Sequence, residues 1–195
     1  DYGSEYRYRN PIVTPNTLAV VITQSGETVD TLEAMAEARR HGARLAAIVN
    51  VVGSQADREA DARIHVQAGP EIAVASTKVF TSMIVDQVLL AMALGQARGF
   101  LTRERAIQMM EGLVRLPSQA GDILANEGEY DELAGSIYEA TDMLYLGRGV
   151  NYPTALEGAL KIKEISYIHA EGCPAGEMKH GPIALIDEKL PVVAI

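Results

Sequence analysis

Residues 17–49 read TLAVVITQSGETVDTLEAMAEARRHGARLAAIV, and their pattern decides the fold class. Residues 17–22 and 45–49 are short apolar runs without clean alternation, as expected of strands covered on both faces. Between them, residues 29–41 follow a helical pattern, and Gly42 stands where a C-terminal glycine ends a helix. A strand, a helix and a second strand in this order make a β-α-β unit. The class that follows is α/β, a doubly wound parallel sheet.

The same alternation recurs outward from this unit. Residues 64–66, 143–146 and 190–194 read as further strands. After Ala73 the pattern turns helical over 76–97, 102–115, 117–126 and 129–140, punctuated by Gly99, Pro117 and Gly128. Strand 143–146, the turn Gly147-Arg148-Gly149 and a helix from Tyr152 then repeat the order of the first unit. Two related domains are expected, 1–127 and 128–195, the second beginning with a linker helix; a single sheet with a helical insertion is the alternative. The opening stretch, with Tyr2, Tyr6, Arg7, Tyr8 and Arg9, has no regular pattern, and PVVAI at 191–195 is a strand without a following helix. Both domains are therefore expected to be incomplete.

Composition narrows the function. The 195 residues are 48% hydrophobic and 22% charged, which is ordinary globular composition with enough length to bury a core. A net charge of −9 argues against general affinity for nucleic acid or an anionic membrane surface, so a small molecule is the expected partner. The single cysteine, Cys173, cannot form an internal disulfide, which makes the cytoplasm the expected location. Without a base beside it, Cys173 is expected to be a small side chain rather than a nucleophile. The most apolar stretch, 83–94, contains Asp86 and Gln87 and is too short to cross a bilayer.

Three segments carry candidate chemistry. In the first, Glu157, Lys161 and Glu164 stand at i, i+4 and i+7 and share one helical face. Leu156, Leu160, Ile162, Ile165 and Ile168 cover much of the rest, which predicts a largely buried helix. A lysine between two carboxylates keeps one ionised as a base, while desolvation raises a carboxylate toward the range useful for proton transfer. The same spacing also describes ordinary surface ion pairs, and the residues alone leave both readings open.

In the second segment, the strand ending at Ile22 runs into TQSGET, residues 23–28, and then a helix. That geometry lets backbone N–H groups and the helix dipole meet an anion. Hydroxyls on Thr23, Ser25 and Thr28 add donors, and Gly26 allows close backbone approach. Capping of the helix by Ser25 or Thr28 is an equally available and compatible role. The third segment, VASTK at 74–78, opens the long helix; Ser76 or Thr77 is expected to cap it, and Lys78 offers a charge. His41, His65, His169 and His180 show no metal-ligand spacing, so no metal is expected.

Taken together, TQSGET, VASTK, LGRG (146–149), ALEGALKIKEISYIHAE (155–171) and GEMKHGPIALI (176–186) resemble the isomerase part of the glutamine:fructose-6-phosphate aminotransferases. The likeness runs over nearly the whole chain. It implies sugar isomerase (SIS) domains and conversion of fructose 6-phosphate and glutamine-derived ammonia to glucosamine 6-phosphate. It also implies that Thr23, Gln24, Ser25 and Thr28 hold the sugar phosphate and that Val74 and Ser76 line the same pocket. Thr23 stands where the family usually has serine, a change that keeps the hydroxyl. Glu164 is implied as the base that moves a proton between C1 and C2, with Glu157 and Lys161 beside it. His180 matches the histidine that assists ring opening in the neighbouring subunit, which implies a homodimer. No cofactor is implied. The glutaminase domain of the same polypeptide and the C-terminal lysine that forms a Schiff base with the sugar are not among these residues, so the segment alone is expected to be inactive. A fructosamine-phosphate deglycase and a sugar-phosphate-sensing SIS module are the alternatives.

Overall fold

The computed structural model describes residues 1–195. Contacts divide the chain into two units: Asp1–Ile72 with Ser76–Leu113, and Ala73–Ala75 with Val114–Ile195.

The first unit opens with α1 (Gly3–Tyr6) and a 3-10 turn, Arg7–Arg9, where the sequence shows no pattern. Then come β1 (Leu18–Thr23), α2 (Val29–Arg40), β2 (Arg44–Val49), α3 (Gln55–Glu59), β3 (Ala62–His65) and α4 (Lys78–Ala97). The strands form one parallel sheet in the order β1-β2-β3, with Ile22 beside Ile48 and Val49 beside His65. On one face, Met35 and Ala38 of α2 close over Leu45, Ala47 and Val49, and Tyr6 packs at the edge of this cluster. On the other face, Ile48 is buried with Val79 and Met83 of α4. Successive strand residues point to opposite faces, so adjacent Ile48 and Val49 serve different clusters. The sheet therefore carries helices on both faces, although Leu18, Val20 and Ile22 of β1, expected to be covered, are 43%, 38% and 43% exposed.

α4 runs 20 residues and is long and apolar enough to cross a bilayer by length and composition, unlike the shorter run read from the sequence. Its Val79 and Met83 instead pack on the sheet beside Ile48. α5 (Arg103–Leu124) crosses the division between the units, and Pro117 lies inside it rather than ending it. Proline lacks the amide that would bond the carbonyl four residues earlier, that of Leu113, and the units divide at Leu113 and Val114.

The second unit continues with α6 (Glu127–Ile137), β4 (Asp142–Gly147), α7 (Asn151–Ser166), β5 (His169–Pro174), 3-10 turns at Ala175–His180 and Pro182–Leu185, and β6 (Val192–Ala194). Its sheet is also parallel, in the order β5-β4-β6. β5 has no counterpart in the sequence reading, because HAEGCP contains no β-branched or aromatic residue to signal a strand. It forms because β4 supplies a register running from Asp142 opposite His169 to Gly147 opposite Pro174, and because Gly172 admits α7 closely. A Cβ on Gly172 would stand 2.8 Å from the Cα of Leu156.

α7 is not the largely buried helix that its leucines and isoleucines predict. It packs through Ala155 and Ala159, while Leu160 and Ile165 are 41% and 64% exposed. Ala159 joins Met143 and Ala170 in the core of this unit, with Ile162 against it. The other face of the sheet buries Leu144, Leu146 and Cys173 under Met178, Ile186 and Leu190.

Candidate functional site

The predicted site residues divide between the units: Thr23, Gln24, Ser25, Thr28 and Ser76 belong to the first, and Val74, Glu157, Lys161, Glu164 and His180 to the second. In the first unit, Thr23 ends β1 and Thr28 precedes the first turn of α2. Thr23 is buried, and its Oγ1 accepts the Gly26 amide at 3.1 Å, turning the chain back on itself. Gly26 has φ of +68°, the left-handed region that glycine enters without a Cβ penalty. Ser25 Oγ accepts the Glu27 amide at 3.2 Å and lies 3.5 Å from Thr28 Oγ1. Thr28 makes no side-chain capping bond to α2. Gln24 contributes its carbonyl, which accepts the Val51 amide at 3.2 Å.

Val74 and Ser76 lie on the approach to α4. Val74 is 91% exposed and Ser76 is partly buried. The expected cap is replaced: neither Ser76 nor Thr77 caps α4 through its side chain. Glu71 does so, accepting the Thr77 amide at 3.0 Å, the Thr77 hydroxyl at 3.2 Å and the Val79 amide at 3.2 Å. The Thr77 amide bond leads in holding the Glu71 carboxyl below the usual glutamate range, with the Val79 amide and the Thr77 hydroxyl adding to it. A carboxylate at a helix N-terminus also meets the positive end of the dipole. Sequence reasoning missed Glu71 because it stands outside the capping-box spacing.

In the second unit, α7 brings Glu157, Lys161 and Glu164 together as the spacing requires. Lys161 Nζ lies 3.1 Å from Glu157 Oε1 and 2.9 Å from Glu164 Oε2. All three side chains are mostly buried, with 22% of Glu157, 22% of Lys161 and 32% of Glu164 exposed. Burial works against the charge on Lys161, but hydrogen bonds to Glu164 and Glu157 outweigh it and raise its pKa above the usual lysine value. The triad is displaced by two residues, close to half a turn of the helix, from the packing face of Ala155 and Ala159, so it is not absorbed into the core. A carboxylate so placed can accept a proton from carbon and return it to a neighbouring atom.

His180 closes the 3-10 turn Ala175–His180 and is exposed, without a hydrogen bond to the triad. Cys173 is 3% exposed, and burial pushes its thiol up, the opposite of what an activated nucleophile needs. A cavity of about 950 Å³ in this unit is lined by Asp142, His169, Glu171, Asp187, Lys189 and Pro191 among others, and by none of the predicted site residues. It lies at the amino ends of β4, β5 and β6, whereas parallel sheets bind ligands at the carboxyl ends.

The SIS domain family matches residues 1–93 and 136–195. The glutamine–fructose-6-phosphate aminotransferase [isomerizing] of a Thermus thermophilus strain is 53% identical over all 195 residues, and that of Chlorobaculum tepidum 52%. The chain spans 32% of the length of each. Among solved structures, the C-terminal domain of glucosamine-fructose-6-phosphate aminotransferase from Francisella tularensis superposes with a TM-score of 0.96 at 40% identity, covering the whole chain and 55% of that domain.

Proposed function

The chain belongs to the SIS domain family, and on that premise we propose that it is the isomerase part of an enzyme that makes glucosamine 6-phosphate from fructose 6-phosphate and ammonia. The observation that carries this reading is the Glu157–Lys161–Glu164 triad on α7. A domain that only sensed a sugar phosphate would need the Thr23–Thr28 loop and no paired acid/base groups.

In this reading the loop holds the substrate by its phosphate, using the hydroxyls of Thr23, Ser25 and Thr28, the backbone around Gly26 and the side chain of Gln24. Val74 and Ser76 line the same pocket. The phosphate serves as a handle that fixes the reacting carbons. Ammonia replaces the carbonyl oxygen at C2 with loss of water. Glu164 then takes the proton from C1 of the imine and delivers it to C2, while the C1 hydroxyl gives up its proton and the imine nitrogen gains one, leaving an aldehyde at C1 and an amine at C2. Lys161 holds Glu164 in place and Glu157 holds Lys161, while His180 serves ring opening in the adjacent subunit of a homodimer. Glutamine is the ammonia source through a glutaminase domain of the same polypeptide, and the cytoplasm is the compartment.

The test is Glu164→Gln in the full-length protein, assayed for glucosamine 6-phosphate. General-base removal is expected to cost about 10²–10⁴ in turnover while fructose 6-phosphate affinity stays within about threefold. Undiminished turnover in the variant would remove Glu164 as the base.

A further inference from the structure

The Thr23–Thr28 loop does not stand alone: residues 50–57, NVVGSQAD, grip it along its length. The Val51 amide donates to the Gln24 carbonyl at 3.2 Å, and the Ala56 amide donates to the Gly26 carbonyl at 3.0 Å. The Gln55 amide donates to Glu27 Oε1 at 2.9 Å. Ser54 is 2% exposed and sits over Gly26 so closely that a Cβ there would lie 2.0 Å from Ser54 Oγ. That hydroxyl is buried and has no hydrogen-bond partner, so packing against Gly26, not polar pairing, accounts for its place.

The gripping segment is itself anchored. Asp57, 5% exposed, accepts the Gly53 amide at 2.7 Å with Oδ2 and meets His65 Nε2 at 2.8 Å with Oδ1. His65 is the last residue of β3, so Asp57 ties the segment to the sheet. We propose that Ser54 and Asp57 are positioning residues for the phosphate loop: Asp57 fixes residues 53–57 to β3, and Ser54 transmits that placement to Gly26. The inference rests on the reading of Thr23–Thr28 as the phosphate site. Neither residue touches substrate; both set where the loop's amides and hydroxyls stand.

The experiment measures fructose 6-phosphate affinity, kcat and Tm in the full-length protein for four variants. Asp57→Asn is expected to raise KM and the dissociation constant about tenfold with kcat at saturation within about twofold, a split that misplacement of a binding loop produces. Asp61→Asn is the control. Asp61 accepts the Leu45 amide at 2.8 Å at the opposite end of β2, so its loss is expected to lower Tm without moving KM. Ser54→Val, which adds bulk against Gly26, is expected to weaken affinity, and Ser54→Ala, which keeps the small volume, to restore it to within about twofold of the parent. Asp57→Asn and Ser54→Val variants that bind like the parent would overturn the proposal, and the Ser54 pair decides it alone if Asp57→Asn does not fold. If the parent binds fructose no more weakly than fructose 6-phosphate, the loop is not a phosphate site and the inference falls with that reading.

Discussion

The two units repeat one local plan, strand, turn and helix, and put different chemistry on it. In the first, β1 leads through Thr23–Thr28 into α2, and the polar groups lie in the turn: Gly26, at φ +68°, is buried against Ser54 with its amide and carbonyl both bonded, and exposed Thr28 precedes α2. In the second, β4 leads through Gly147-Arg148-Gly149 into α7, and the turn itself is tight: a Cβ on Gly147 would lie 2.3 Å from the carbonyl oxygen of Asn151. Its polar groups stand further along, at Glu157, Lys161 and Glu164. A turn held from one side by residues 50–57 leaves exposed Thr28 available to an anion, whereas a turn closed by its own helix start leaves the helix face as the place for ionisable side chains. Position within the motif, not the motif, sets the role.

Breaking the closed turn is expected to have the largest effect. Gly147→Ala drives a methyl into backbone that cannot move aside, and should cost about 3 kcal/mol of stability, read by chemical denaturation of the full-length protein. A loss below about 0.5 kcal/mol would show that the β4–α7 turn can shift aside to admit a side chain.

The first turn is tested by Thr28→Val, which keeps the shape of the side chain and removes the hydroxyl that makes no bond to α2. Loss of a hydrogen bond to a charged group predicts sugar-phosphate affinity weaker by about tenfold or more, with little change in Tm, by calorimetric titration. Unchanged affinity would take Thr28 out of the phosphate cradle and leave it as a helix-start residue.

The smallest expected effect concerns Asp86, in the helix that covers the first sheet. One of its carboxylate oxygens is buried without a partner, and burial raises its pKa above the usual aspartate value. An acid whose folded pKa is raised binds its proton more tightly in the folded state, so stability is greatest below the unfolded pKa and falls as pH rises through the folded one. Asp86→Asn, a neutral mimic, should therefore add about 1 kcal/mol at pH 7, with the gain shrinking as pH falls toward 4. A gain that persists in acid would separate the effect from ionisation.

Much of this was legible before folding. The β1-α2-β2 unit follows from apolar runs and Gly42, and the Glu157, Lys161 and Glu164 contacts follow from 3.6-residue periodicity, because both are local consequences of backbone geometry. The sequence motif also located the Thr23–Thr28 loop correctly at a strand-to-helix junction. What was not legible depends on distant residues. The strand His169–Pro174 exists because β4 offers it a ladder, and α5 continues through Pro117 although local propensity argues for a break. The cap of α4 comes from Glu71, and the anchor of residues 53–57 from His65, partners with no periodic spacing to reveal them.

Side-chain periods of two and 3.6, with glycine's freedom at turns, were enough to set the α/β class, the parallel strands and the residues that share a helical face. The tertiary structure alone decided that α7 packs through its alanines and leaves the triad outside the core. It also decided that Glu71, not Ser76 or Thr77, satisfies the first amides of α4, and that Ser54 and Asp57 stand behind the Thr23–Thr28 loop. The physical reason is that close packing and hydrogen-bond pairing are settled between segments far apart in the chain, where no local period can record them.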